Sequence, residues 1–547
     1  MRKILLAAAA LLCACRSEAQ PQAPIPTGAP KLMIVISVDQ FSAELWNEYR
    51  PQFTGGLARL ASGMVFRNGF ESHAATETCP GHSTILTGDR PARTGIIVNS
   101  WVDQSAARAD KTIYCAEDET VPGSSSSNYT VSPRQLKVPT LGELLKARSP
   151  SSRSVAVAGK DRAAVMMGGH RLDQRWYWRR TGFTTDLAGV ATPVTVTRVN
   201  AAFAAALAQP RLPLDPPPVC AAKAQTYTIG KGKIVGNGRF ARAANDVSAA
   251  EDSPEFDGAV LALAAGLTQE LGLGRGTAPD LLAVGLSATD YVGHSFGTQG
   301  QEMCLQLLSL DRDLGDFFAM LDSRGIDYAV ALTADHAGFD IPERVPGGSW
   351  VDPSLNADTV GKAIGAKLGL SGPVLLGGGY SGDIFIDRGL SPTDRAKVRE
   401  EAMKSYRSHP QVEAVFTREQ IAATPLAITT PDRWTLLERL RASFDPVRSG
   451  DLLVVLKPKV APYPKEFGIA STHGTPWDYD RRVPIVFWRP NIAATTRDDP
   501  VETVDIMPTL AAMIGVPLSP GAVDGKCLPG VTVCPVAGAV AAERGKR

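Results

Sequence analysis

The stretch "KLMIVISVDQF", Lys31 to Phe41, decides the fold. From Leu32 to Val38 it is almost continuously apolar, and it stops at Asp39. Such a run reads as a strand buried on both faces, as in a parallel sheet. The pattern recurs along the chain. "PDLLAVGLSATDYVGH" (279–294) is a strand followed by a polar loop, "DYAVALTADHAG" (327–338) ends its strand at Asp335 and His336, and "SVAVAGKDR" (154–162) ends before Lys160 and Arg162. Helix-like segments such as "PTLGELLKAR" (139–148) and "GAVLALAAGLTQEL" (258–271) lie between them. Strands alternating with helices predict an α/β fold around a mostly parallel sheet. Ligands of such sheets gather beyond the C-terminal ends of the strands. The acids and bases of this chain fall there.

Two segments break the alternation. Residues 171–250 contain "RWYWRR" and the proline run "PRLPLDPPPVC", and residues 345–450 open on "RVPGGSW". Both read as insertions that cap a site, within a catalytic domain spanning about residues 30–520 and followed by a tail, 521–547.

The 547 residues are 44% hydrophobic, enough for a large core, and 57 basic residues balance 56 acidic ones. That balance argues against an electrostatically driven nucleic-acid binder. Arg2, Lys3 and the short apolar run Ile4–Ala14 read as a signal peptide over 1–19, in preference to lipoprotein processing at Cys15. The expected location is therefore periplasmic or secreted. No later run is long enough to span a bilayer, and a monomer is expected. In an oxidising compartment six cysteines remain: 79, 115, 220, 304, 527 and 534. Cys527 and Cys534 read as a bridge, and the other pairings do not follow from sequence.

The chain has only seven histidines. Asp290 and His294 share one face of a helical turn and can hold one metal. Asp39 ends the first strand, Asp335-His336 directly follows another, and His473 lies in "STHGTPWDYDRRVPIVF" just before a strand. Singly, each aspartate reads as a helix cap and each histidine as a satisfied polar group. Together, three carboxylates and three imidazoles suit zinc, and six ligands are too many for one tetrahedral ion but fit two.

In this order, Asp39, Thr78 in "TETCPGH", "DYVGH", "TADHAG" and "THGT" resemble the alkaline phosphatase superfamily. "VETVDIMPTLAAMIGVP" (501–517) resembles the helix that closes its core. The resemblance implies an α/β/α sandwich with two zinc ions. Asp290, His294 and His473 would hold one ion. Asp39, Asp335 and His336 would hold the other, together with the oxygen of Thr78. The superfamily's nucleophile precedes an x-Pro-x-[His/Arg] run that opens a helix, and Thr78-Cys79-Pro80-Gly81-His82 matches with Thr78 as nucleophile. Cys79 stands one residue late for the cysteine of the superfamily's sulfatases. It reads as a packing residue or a disulfide partner, and His82 reads as structural.

A monoester's terminal phosphoryl group carries about two charges and three free oxygens, so it needs more donors than a diester does. Asn99, and Lys160 with Arg162 two residues apart on what reads as an extended segment, are the candidates. This set resembles the phosphate-insensitive, threonine-nucleophile (PafA-like) alkaline phosphatases, in which the three bind phosphoryl oxygens. The expected activity is hydrolysis of small phosphate monoesters through a phosphothreonine. The alternatives are a phosphodiesterase or nucleotide pyrophosphatase of the same superfamily, and a non-catalytic zinc- or phosphate-binding protein.

Overall fold

A computed structural model of the protein describes residues 25–535. The signal peptide expected over 1–19, Cys15 and the last part of the tail, 536–547, lie outside these residues. A ten-stranded sheet forms the centre. Its principal strands are β1 (Leu32–Val38), β2 (Met64–Phe70), β3 (Ser154–Ala158), β4 (Gln174–Arg179), β5 (Gly182–Thr184), β6 (Asp280–Leu286), β7 (Tyr328–Thr333), β8 (Arg482–Trp488) and β9 (Thr495–Arg497). Their spatial order is β9-β2-β8-β7-β1-β6-β3-β4-β5. The strands β7, β1, β6, β3 and β4 are mutually parallel. β8 is antiparallel to both β7 and β2, so β2 runs in the direction of β7. The C-terminal ends of β1, β2, β3, β6 and β7 and the N-terminal end of β8 therefore open on one edge of the sheet.

Both faces of the sheet are covered, and β1 shows why an unbroken apolar run was needed. Leu32, Ile34, Ile36 and Val38 enter one core, while Met33 and Val35 enter the other. The alternation is the strand's own period of two. On the first face pack the helices α3 (Pro254–Glu270) and α5 (Gln301–Ser323). They contribute Val260, Leu263, Ala264 and Leu267, and Leu307, Leu310, Leu314 and Phe318, each set at helical spacing. α3 starts cleanly because the Ser253 side chain caps it and Pro254 occupies its first position. On the opposite face lie Ile506, Met507 and Leu510 of the helix Ile506–Met513.

The two capping segments behave differently. The "RWYWRR" stretch is not outside the alternation: it is β4, paired in parallel with β3, and β5 returns beside it. Its alternating aromatic side chains have faces to cover on both sides, which the sequence pattern alone did not reveal. The second segment builds its own sheet from Leu375–Leu376, Gly382–Ile386, Val412–Thr417 and Leu452–Leu456, so the cap continues past residue 450. It also has its own core, with Val374, Ile384, Val398, Tyr406 and Val454. The tail is docked as far as residue 535: Leu528 and Val531 enter the second core, and Cys527 is bridged to Cys534. The other bridges are Cys79–Cys115 and Cys220–Cys304. Among the described residues no helix is long and apolar enough to cross a membrane.

Candidate active site

The common edge of the sheet collects the predicted residues. Asp39 follows β1 directly. Asp290 and His294 lie on α4 (Ala288–Phe296), which starts just after β6. Asp290 is in the first turn, where the helix dipole favours a carboxylate. Asp335 and His336 follow β7, and His473 lies in the loop that leads to β8. All six converge. His294 Nε2 is 3.2 Å and His473 Nε2 3.5 Å from Asp290 Oδ1. His336 Nε2 is 3.4 Å from both Asp39 Oδ1 and Asp335 Oδ2. The rings of His336 and His473 stack with centroids 3.6 Å apart. Potential ligand atoms of Asp290, His336 and His473 lie within 4.8 Å of one another, as do those of Asp39, Asp335 and His336. His336 thus stands between the two groups.

The imidazoles are oriented for coordination. Each points Nδ1 at a backbone carbonyl: His294 at Ser471 (2.8 Å), His336 at Ala337 (2.9 Å) and His473 at Thr76 (2.8 Å). Donation there puts the lone pair on Nε2, the atom that faces the carboxylates. Burial pushes the pKa of His336 and His473 down, which keeps both rings in the neutral form a metal requires. Asp39 Oδ1, Asp335 Oδ2 and His336 Nε2 are buried and accept or donate no hydrogen bond. Buried orphans of this kind are costly unless a cation meets them. The donor set, imidazole nitrogen plus carboxylate oxygen, fits zinc.

The carboxylates feel opposing forces. Burial holds Asp39 well above the usual carboxylate range; Asp335 adds to the rise and Lys160 opposes it. Burial acts on Asp290 as well, but His294, Lys160 and His473 outweigh it and hold the group well below that range. At Asp335 the burial effect is overcome by His336 and His82. Lys160 is the fixed positive charge among them: its Nζ lies 2.6 Å from Asp39 Oδ2 and 2.5 Å from Asp290 Oδ2. It joins one carboxylate of each group.

Thr78 is the first residue of α1 (Thr78–Thr87), a helix buried along its whole length. Pro80 falls in its first turn, as the register predicts. The Arg162 guanidinium reaches to 3.4 Å from Thr78 Oγ1. Asn99 Oδ1 accepts from the Cys79 N–H at 2.8 Å. Its Nδ2 amide has no bonding partner among the described residues and remains free to donate. One local expectation fails. Lys160 and Arg162 do not lie on an extended segment: Lys160 is the N-cap of α2 (Asp161–Gly168) and Arg162 is already helical. Both still reach the site, because a cap and the second helical residue can project past the same helix end. Asp161, between them, is held elsewhere by the hydroxyls of Tyr114 and Tyr129, each at 2.7 Å.

Two residues of the site, Gln40 and Gly81, escape sequence reading, and a third, His82, reads there as structural only. Gln40 adopts a left-handed backbone, φ 64°. It donates from Nε2 to Asp290 Oδ1 at 2.9 Å and from its backbone N–H to Asp335 Oδ1 at 3.2 Å. Gly81 lets α1 press against the Asp335 backbone; a Cβ there would lie 1.9 Å from the Asp335 carbonyl oxygen. His82 Nδ1 is 3.0 Å from Asp335 Oδ2 and 2.9 Å from the Thr78 carbonyl oxygen, a closer link to the site than a purely structural histidine suggests. Adjacency to Asp39 and Thr78 was the only signal available for them.

Comparison with known proteins agrees with this geometry. Residues 33–475 match the profile of the type I phosphodiesterase / nucleotide pyrophosphatase family. Alkaline phosphatase PhoK of a Sphingomonas species is 52% identical over 508 residues, covering 91% of each chain. Alkaline phosphatase PhoD of Zymomonas mobilis is 46% identical over 524 residues, covering 93% of this chain and 90% of its own. The crystal structure of wild type alkaline phosphatase PafA superposes with a TM-score of 0.79 at 25% identity, over 93% of this chain and 100% of the other.

Proposed function

The chain belongs to the type I phosphodiesterase / nucleotide pyrophosphatase family of the alkaline phosphatase superfamily, and from that premise we propose that it is an exported, zinc-dependent alkaline phosphatase that hydrolyses phosphate monoesters through a phosphothreonine at Thr78. The observation that carries the reading is the Thr78 hydroxyl at a helix N-terminus, 3.4 Å from Arg162 and beside the convergent carboxylates and imidazoles. Asp290, His294 and His473 would hold one zinc ion, and Asp39, Asp335 and His336 the other. Two such ions supply positive charge to the attacking and departing oxygens of an in-line displacement.

The protein's own groups do the positioning. Thr78 Oγ gives its proton to solvent and faces phosphorus, and the bond between them forms as the bond to the ester oxygen breaks. The departing alkoxide takes a proton from water. Water then attacks the phosphothreonine, releases phosphate and restores the hydroxyl. Arg162, the Asn99 amide and the α1 N-terminus face the equatorial oxygens, where phosphoryl transfer needs fixed donors. Lys160 turns its ammonium from Asp39 and Asp290 to the third oxygen once the carboxylates are otherwise neutralised. Two cationic side chains beside one phosphoryl group favour a dianionic monoester over a diester. Export is supported by the basic and apolar N-terminal residues and by three disulfides, which belong to an oxidising compartment.

One parallel assay tests the reading. Wild type should cleave an aryl monoester much faster than an aryl diester, and Thr78→Ala should lose about 10⁴-fold or more on both, in line with loss of a covalent nucleophile. Lys160→Ala with Arg162→Ala should damage monoester cleavage at least about tenfold more than diester cleavage. Equal losses would make the protein a diesterase.

A further inference from the structure

A cleft of about 660 Å³ lies in the seam between the main body and the second segment and borders the candidate site at His473. Its lining includes Glu77, next to Thr78, as well as His473 and Gly474. The same lining carries three aromatic rings that the fold leaves partly exposed. Tyr463 is 40% and Phe467 51% exposed, and Tyr380 is half-buried. The rings form one cluster, with Phe467 centred 6.0 Å from Tyr463 and 6.3 Å from Tyr380. Large exposed aromatic rings grouped at the mouth of a cleft are uncommon on a surface that has nothing to bind. The Tyr463 hydroxyl has no hydrogen-bond partner among the described residues.

The charge of the lining is one-sided. Glu77, Asp358 and Asp383 are its charged residues; no lysine or arginine lines it. This contrasts with the phosphoryl end, where Lys160 and Arg162 stand. We propose that the cleft is the leaving-group subsite, and that it selects phosphate monoesters whose alcohol is aromatic and neutral or cationic, while it disfavours alcohols that carry further anionic groups. The rings stack on the leaving group, and the three carboxylates repel added negative charge. The proposal rests on the monoesterase reading above.

The test compares ratios of kcat/KM on the zinc-loaded full-length enzyme. For 2-naphthyl phosphate over ethyl phosphate, Phe467→Ala and Tyr463→Ala should each lower the ratio about three- to tenfold, the scale of one aromatic contact. Competitive inhibition by benzylphosphonate relative to methylphosphonate should weaken by a similar factor, which reports binding apart from leaving-group chemistry. Wild type should also prefer 2-naphthyl phosphate to its ring-sulfonated analogue. Asp358→Asn, an exposed position, should narrow that preference, and so should raised salt, which screens it. Unchanged aryl-to-ethyl and inhibitor ratios in both ring variants, or no discrimination against the sulfonate, overturn the subsite. An enzyme that cleaves diesters but neither monoester would instead overturn the parent reading, so the two failures are distinguishable.

Discussion

Gln40 is held in place by its surroundings rather than by its own preference. A left-handed backbone costs a side-chain-bearing residue about 1–2 kcal/mol. The cost is tolerated because the side chain is clamped: an added Cβ on Gly293 would lie 1.8 Å from Gln40 Oε1, and one on Gly338 2.9 Å from its Cδ. The clamp aims the amide at Asp290 and the backbone N–H at Asp335, one carboxylate from each candidate metal group. Gln40→Ala should therefore lower zinc affinity or turnover by about 10- to 100-fold, the usual scale for a lost outer partner of a ligand. Chelator competition followed by zinc content per chain measures this. Intact affinity and turnover with only a lower melting temperature would make Gln40 a packing residue. The candidate metal ligands stood out in the sequence because histidine is scarce and because these aspartates and histidines are placed together at strand ends. Gln40 did not, since a glutamine has many roles and a positive φ leaves no mark on a glutamine.

At the scale of elements, the site depends on how closely α1 approaches the segment after β7. Two polar residues of α1 are buried and paired across the core: Ser83 meets Thr94 and Thr84 meets Thr503. The helix therefore has a fixed rotation, and that rotation sets the direction of the Thr78 hydroxyl. Gly81 is the contact point. Gly81→Ala would press a methyl group into the Asp335 carbonyl, and backbone on both sides leaves little room to yield. The helix must shift by an ångström or more, and a misplacement of that size costs about 100-fold in turnover. Overpacking adds a stability loss of about 1–3 kcal/mol. We expect kcat to fall by that order and the zinc content to fall less, since the clash meets the Asp335 backbone carbonyl rather than its carboxylate. Wild-type kcat in Gly81→Ala would show that the helix has slack. The same scale explains which elements were readable. Strands β1, β3, β6 and β7 announce themselves by unbroken apolar runs. The start of α2 at Asp161 does not, because Lys160 and Arg162 are equally at home in a loop. "RWYWRR" reads as an irregularity until its neighbour β3 is known, since a strand's place in a sheet is a property of both partners.

The molecule is a sheet-centred body joined to a smaller sheet with its own core, and the three disulfides among the described residues serve different parts of it. Cys220–Cys304 closes a span of 84 residues and ties the proline-rich excursion to the start of α5. Cys79–Cys115 closes 36 residues and begins at the residue after Thr78. Loop-closure entropy grows only with the logarithm of length, so by that argument these two bridges are worth roughly 4 to 4.5 kcal/mol each, and about 2–5 kcal/mol is typical on removal. Their effects on catalysis should differ sharply. Neither Cys220 nor Cys304 contacts the candidate site. Cys79, by contrast, donates its N–H to Asn99, and the backbone N–H of Cys115 donates to the Asn99 carbonyl. The second bridge thus holds the Asn99 amide that we propose faces the phosphoryl group. The paired alanine variants of Cys220 and Cys304 should lower the urea midpoint while the folded fraction retains near-normal kcat. The paired alanine variants of Cys79 and Cys115 should lower the midpoint and kcat together, by about tenfold or more, as a loosened donor no longer meets the transition state. Unfolding curves combined with turnover per folded molecule separate the two effects. A larger kcat loss from the distant bridge than from Cys79–Cys115 would mean that the excursion, not the Thr78 loop, sets the geometry of catalysis.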